Sequence, residues 1–251
     1  MYIETEGVVL RSMKYGEADT ILTVLTKKLG KIRLFSKSSK RMKSPVMSAT
    51  QNFARSVFSL FPSKEAYSLH SAELLDSYYR ISADLSKFAY SSYFLEMADK
   101  MLTDNQPNSA YFNLVRQMLD LTVSRRDYDF LRLVYELKSL QFSGLKPEVS
   151  KCANCGMIEV ERYRYFSFDE GGVICGVCRK NLPAAATLDP SSVRFMAYAF
   201  RYPLSEVVNA KVSDILIKEL ILILGQYREH HLGKLKLHSM ELMDMFKEEK
   251  A

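Results

Sequence analysis

Between Thr20 and Lys64 the chain carries no aspartate or glutamate. The same stretch holds Lys27, Lys28, Lys31, Arg33, Lys37, Lys40, Arg41, Lys43, Arg55 and Lys64; with the whole chain at +6, everything outside it sums to −4. Such segregation excludes an evenly mixed surface and points to an anionic partner, nucleic acid first, with a solvated basic face as the plain alternative. No apolar run approaches the roughly 18 residues of a membrane helix. The most apolar stretch, Ile215 to Leu224, is broken by Lys218 and Glu219. Residues 1–6 have early acids and no basic start before an apolar core, so a secretory signal is not expected and the protein is expected in the cytoplasm.

Catalytic signatures are missing too. The chain has no G-x-x-x-x-G-K-[ST] phosphate loop, no G-x-G-x-x-G fingerprint, no G-x-S-x-G elbow and no H-E-x-x-H pair. His230 and His231 are adjacent and point apart on a helix, while His70 and His238 are isolated; Asp76 and Asp84 read as caps or solvated charges. The expectation is a protein that binds rather than catalyses.

What is present is an ordinary globular composition, 47% hydrophobic and 25% charged over 251 residues, enough for two domains or one with appendages. Residues 1 to about 80 read as five short strands: Ile3 to Leu10, Thr20 to Thr26, Gly30 to Lys37, Phe53 to Phe61 and Tyr67 to Leu75. That count in that length fits a small barrel of the oligonucleotide-binding (OB) type. In the third strand, period two places Lys31, Arg33, Phe35 and Lys37 on one face, a mixture suited to tracking phosphates and stacking a base. Phe35 is equally compatible with a core position. The following segment, residues 38–45, adds Lys40, Arg41 and Lys43 in a small-residue loop able to close over a nucleic-acid backbone.

From about residue 82 the apolar period becomes 3.6. Phe94, Met97, Ala98 and Met101 form one stripe, and Phe130, Leu133, Val134, Leu137 and Leu140 another. Asp189-Pro190 marks a helix start. Val212, Ile215, Leu216, Leu220, Ile223 and Tyr227 line a later helix whose other sides also carry Ile217, Ile221 and Leu222, so it reads as buried. The expected architecture is α+β and multidomain: an OB-fold barrel (1–80), a helical domain in two parts (81–148 and 183–251) and an inserted zinc ribbon (149–182).

All four cysteines fall in that insertion, as Cys152-x2-Cys155, nineteen residues, then Cys175-x2-Cys178. This spacing is that of a four-thiolate zinc site. Disulfides would need an oxidising compartment, and a redox Cys-x-x-Cys would occur once beside a βαβ unit. Four thiolates saturate a tetrahedral ion, so the expected zinc is structural rather than catalytic.

Taken in order, Gly7-Val8-Val9-Leu10-Arg11, Tyr15-Gly16-Glu17-Ala18-Asp19, Thr26, Gly30-Lys31, the basic run Lys37, Lys40-Arg41 and Lys43-Ser44, the four cysteines, and His231-Leu232-Gly233-Lys234 with Leu237 and Ser239 resemble the RecO family of bacterial recombination mediators over essentially the whole chain. Ser38-Ser39 departs from the family, where many members carry a glycine-alanine pair before the arginines. The resemblance implies an N-terminal OB barrel, a helical domain and a zinc ribbon in a non-enzymatic DNA repair protein. It also implies binding of single- and double-stranded DNA, annealing of complementary strands, and cooperation with RecR and single-strand-binding protein to load RecA. A zinc-ribbon RNA-binding or transcription-associated adaptor is the alternative that the residues themselves leave open.

Overall fold

A computed structural model of the chain describes all residues except 1, 38, 40–43, 45, 64–65, 159–162, 183 and 249–251, and the backbone alone at 246–248. Contacts divide it into two units, residues 1–126 with 237–251, and residues 127–236.

In the first unit, β1 (Ile3–Tyr15), β2 (Asp19–Thr26), β3 (Gly30–Ser36), β4 (Arg55–Pro62) and β5 (Tyr67–Asp76) close into a barrel of strand order β1-β2-β3-β5-β4. This is the expected OB-like barrel. Period two drives it: Leu22 and Val24 of β2, Ile32 and Leu34 of β3, and Phe58 and Leu60 of β4 point inward, with at most 1% of each exposed. Each such side chain contributes about 1.5–3 kcal/mol by leaving water.

Strand β1 runs five residues past the expected end at Leu10. It pairs with β4 over Ile3–Val8 and with β2 over Gly7–Tyr15, and a bulge between Val9 and Arg11 shifts its register against β2. A bulge bends the strand that carries it, and alternation alone gives no sign of one.

Among the described residues, strand β3 pairs with β5 at Leu34–Tyr67 and Phe35–Ser68. At the start of β3, Lys31 is bridged by the connection between α2 (Leu85–Met101) and α3 (Ser109–Ser124), where the Asn105 amide donates to the Lys31 carbonyl at 2.7 Å. Gly30 makes this approach possible. Its φ is +73°, and a Cβ there would lie 2.0 Å from the Gln106 carbonyl oxygen. The side chains of Asp84 and Asn108 cap α2 and α3. A short turn of helix, α1 (Tyr79–Ser82), links barrel to α2.

The second unit contains α4 (Tyr128–Phe142), a three-stranded sheet ordered β7-β6-β8, and three further helices. The strands are β6 (Tyr163–Ser167), β7 (Gly172–Cys175) and β8 (Ala186–Thr187); the helices are α5 (Pro190–Arg201), α6 (Leu204–Val207) and α7 (Asp214–Leu232). Asp189 caps α5, with Pro190 at its first position, as the sequence indicates. α7 is less buried than its composition suggests: Ile215 and Leu222 are 82% and 61% exposed, because one side only packs inward. A buried charge cluster ties α4 to α7, where the Glu136 carboxylate accepts from Arg132 Nε at 2.8 Å and from Arg228 Nη1 at 3.3 Å. Lys138 Nζ donates to the Tyr202 carbonyl at 2.8 Å, satisfying an orphan acceptor at the end of α5. Burial, assisted by the charge of Lys146, pulls its amine below the ordinary lysine value.

The last helix, α8 (His238–Glu248), belongs to the first unit. Its N-terminal amides at His238 and Ser239 donate to the two carboxylate oxygens of Glu96 at 3.0 and 2.9 Å. Burial alone would raise the Glu96 carboxyl, but these bonds and the Ser239 hydroxyl outweigh it and hold the group below its ordinary value.

Candidate nucleic-acid interface and metal centre

The outward face of β1, β2 and β3 is built from cross-strand rows. Arg11, Thr23 and Arg33 form one row, and Met13, Ile21 and Phe35 the next. Arg11 is exposed, and the Arg33 side chain is 71% exposed, with Asp104 only at 3.9 Å. An ion pair that long and that wet neutralises little, so both guanidinium charges remain available. Phe35 is half-buried, and its ring meets exposed Tyr15 edge-on at 5.7 Å between centroids. Lys37 follows β3 directly and is exposed. Two cations beside a strip of Met13, Ile21, Phe35 and Tyr15 can hold a phosphate backbone while offering flat surface to bases.

Of the residues named from the sequence, Arg33, Phe35 and Lys37 lie on this side of the barrel. Lys31 is nearly withdrawn from solvent. It is 8% exposed, and its ammonium donates to the Asp99 carbonyl while pairing with Asp104 at 3.0 Å and the Asp99 carboxylate at 3.4 Å. The ammonium is therefore surrounded by oxygen partners of the protein itself. The α2–α3 connection lies over this end of β3, and strand alternation is blind to it. Lys40, Arg41 and Lys43 lie outside the described residues. Ser39, beside them in the sequence, is buried, and its hydroxyl lies 2.6 Å from that of Thr20. Arg11, Met13 and Tyr15 are additions to the sequence-derived set. Their signal is the exposed alternation continuing past Leu10, hidden by the bulge.

The second site is in the ribbon. Strands β6 and β7 pair antiparallel, and each Cys-x-x-Cys pair sits in a turn. The sulfurs of Cys152, Cys155, Cys175 and Cys178 all lie within 4.8 Å of one another, with Cys155 and Cys175 at 3.8 Å. A tetrahedral ion with sulfur ligands at about 2.3 Å separates them by about 3.8 Å. The four cysteines could hold a metal ion, and zinc suits both the donors and the spacing.

The backbone prepares the site. Although burial raises the Cys152 thiol, amide donors from Cys155, Cys175 and Asn154 bring it down to about 7. Cys178 is pushed up to about 12 by desolvation and by its bonds with the other three cysteines. Four thiolates at this spacing repel one another unless a cation shares their charge. Close backbone approach supports the ribbon: Gly172 lies against Glu148, whose carbonyl oxygen would be 2.3 Å from a Cβ there. Phe166 of β6 meets Tyr227 of α7 edge-on at 5.4 Å, fastening the ribbon to the helices of its own unit. No helix among the described residues is long and apolar enough to cross a membrane.

Comparison with known proteins agrees over both units. The family description "Recombination protein O N terminal" matches residues 1–78, and "Recombination protein O C terminal" matches residues 82–241. The chain is 32% identical over 243 residues to a DNA repair protein RecO of Alkaliphilus metalliredigens, covering 96% of this chain and 98% of that protein. It is 30% identical over 250 residues to the Acetivibrio thermocellus protein of the same name, covering 98% and 99%. For the Bacillus pumilus protein the identity is 31% over 244 residues, covering 97% and 94%.

Proposed function

Because the chain belongs to the RecO family and so has a role in DNA repair and recombination, we propose that it acts as a mediator without catalytic chemistry of its own. In this reading it binds single- and double-stranded DNA in the cytoplasm, at the nucleoid. It anneals complementary strands, and with RecR and single-strand-binding protein it helps RecA load onto coated DNA. The observation that carries the reading is the exposed row of Arg11 and Arg33 beside Phe35 and Tyr15 on an OB-like barrel.

The mechanism follows from the charge. Arg11, Arg33 and Lys37, continued by Lys40, Arg41 and Lys43, neutralise phosphates on two strands and so lower the repulsion that opposes their pairing. Counterions released from those phosphates make binding salt-dependent and largely indifferent to sequence. Lys31 serves this surface indirectly by holding the α2–α3 connection against β3. The four cysteines would carry zinc in a structural role, with no open coordination position for chemistry. Chelation is expected to lower the thermal stability of the ribbon and its helices before it alters DNA binding. The converse order would place the metal in the interface.

The deciding experiment is annealing of complementary oligonucleotides without ATP, across a salt series, by wild type and by a Lys40→Ala/Arg41→Ala/Lys43→Ala variant. Annealing by wild type that is lost in a folded variant supports the reading. A wild type that neither binds nor anneals at low salt overturns it in favour of an adaptor for RNA or acidic proteins.

A further inference from the structure

A cavity of about 510 Å³ opens in the first unit where β1, α2 and α8 converge. Its apolar lining comes from Leu10, Phe53, Phe88, Leu95 and Leu242. Two backbone irregularities shape one wall, the β1 bulge at Leu10 and Phe53 at φ +71°. Each holds the other, since Phe53 N donates to the Val9 carbonyl at 3.1 Å and Val9 N to that of Ala54 at 2.9 Å. A left-handed phenylalanine is costly and persists only where its surroundings over-determine it, which is characteristic of functional sites. Its ring lies edge-on to Phe88 at 5.5 Å, making an aromatic wall.

The charges at the rim are unequal. Glu96 is committed to the start of α8, and Asp99 to Lys31. Arg11 and Lys100, both exposed, have no ion pair among the described residues. The cavity therefore combines aromatic walls with available positive charge, and its volume falls within the roughly 300–1,000 Å³ of small-ligand sites. Arg11 also begins the Arg11–Thr23–Arg33 row, so the cavity opens beside the proposed DNA face.

We propose that this cavity receives one base of a single DNA strand tracking the Arg11–Arg33 row, with Arg11 and Lys100 holding the phosphates on either side. The inference rests on the DNA-binding reading and deepens it. It distinguishes single strands from duplex, because a base already unpaired enters a pocket at the least cost in unstacking.

The test uses the full chain and thymidine oligonucleotides carrying 5-iodouracil at successive positions, photo-crosslinked and mapped by mass spectrometry. It is paired with affinities for the same strand and for an abasic strand of equal length. Ser92→Trp fills the cavity from α2 and leaves Arg33, Phe35 and Lys37 of the basic face unaltered, and Lys100→Glu alters only the rim. Crosslinks to Phe53 or Phe88 are expected in wild type and absent in Ser92→Trp. The filled variant should bind the base-bearing strand about tenfold more weakly, with its affinity for the abasic strand unchanged. If Ser92→Trp fails to fold, Lys100→Glu decides, with the same crosslinks reduced. Crosslinks confined to Tyr15 or Phe35, with undiminished affinity in both variants, would overturn the pocket while leaving the DNA face intact. Absence of any DNA binding by wild type at low salt would overturn both.

Discussion

The two outward faces of the barrel obey one alternation rule and reach opposite electrostatics. On β1, β2 and β3 the rows carry Arg11, Arg33 and Phe35. On the first half of β1 with β4 and β5, one row reads Glu6, Val57 and Glu73, Glu4 stands in the next, and Arg55 is paired with Glu6 at 3.6 Å. A net charge of +6 describes neither side. What a partner meets is the local field, set by which cations lack internal partners. The same lesson holds within one strand, where Lys31 and Arg33 differ by a single turn of the pleat and only the second faces solvent.

The contrast can be broken at its root. Gly30→Ala places a Cβ against the Gln106 carbonyl at a backbone angle only glycine favours. It should cost about 2–4 kcal/mol in denaturant unfolding. A loss below about 0.5 kcal/mol would mean the α2–α3 connection does not hold β3 as described.

A narrower comparison sets Lys31→Met against Arg33→Ala. The first leaves Asp99 and Asp104 without their shared cation and should reduce stability by about 1–3 kcal/mol, with DNA affinity essentially kept. The second should leave stability within about 0.5 kcal/mol and weaken DNA binding about three- to tenfold at low salt. Reversed outcomes would exchange the roles assigned to these two cations.

The smallest effect belongs to the acidic face. Glu73→Lys, far from the proposed contacts, should raise DNA affinity by about twofold at low salt and by nothing measurable near physiological salt, where screening acts within about 8 Å. A large, salt-resistant gain would show that DNA also crosses β4 and β5.

These contrasts mark how far the sequence reaches. The barrel and the four-cysteine cluster were legible, because alternation and Cys-x-x-Cys spacing are local properties. The burial of Lys31 was not, since Asp99 of α2 and Asp104 of the connection after it arrive from about 70 residues downstream. Arg11 and Tyr15 were hidden by a bulge, which breaks the period used to find strands. The return of α8 to Glu96 joins residues more than 140 positions apart, and no periodicity announces it. Exposed Ile215 is a similar case: apolar character identifies a helix, but its neighbours decide which side is covered.

The most direct test of the account is the salt dependence of single-strand binding by the Arg11→Ala/Arg33→Ala variant. Each phosphate contact contributes about 0.7 to the slope of log affinity against log salt. The account predicts a slope shallower than that of wild type by about 1.4, with Glu6→Gln/Glu73→Gln leaving it unchanged. A wild-type slope in the arginine variant would contradict the claim that this row holds the DNA backbone.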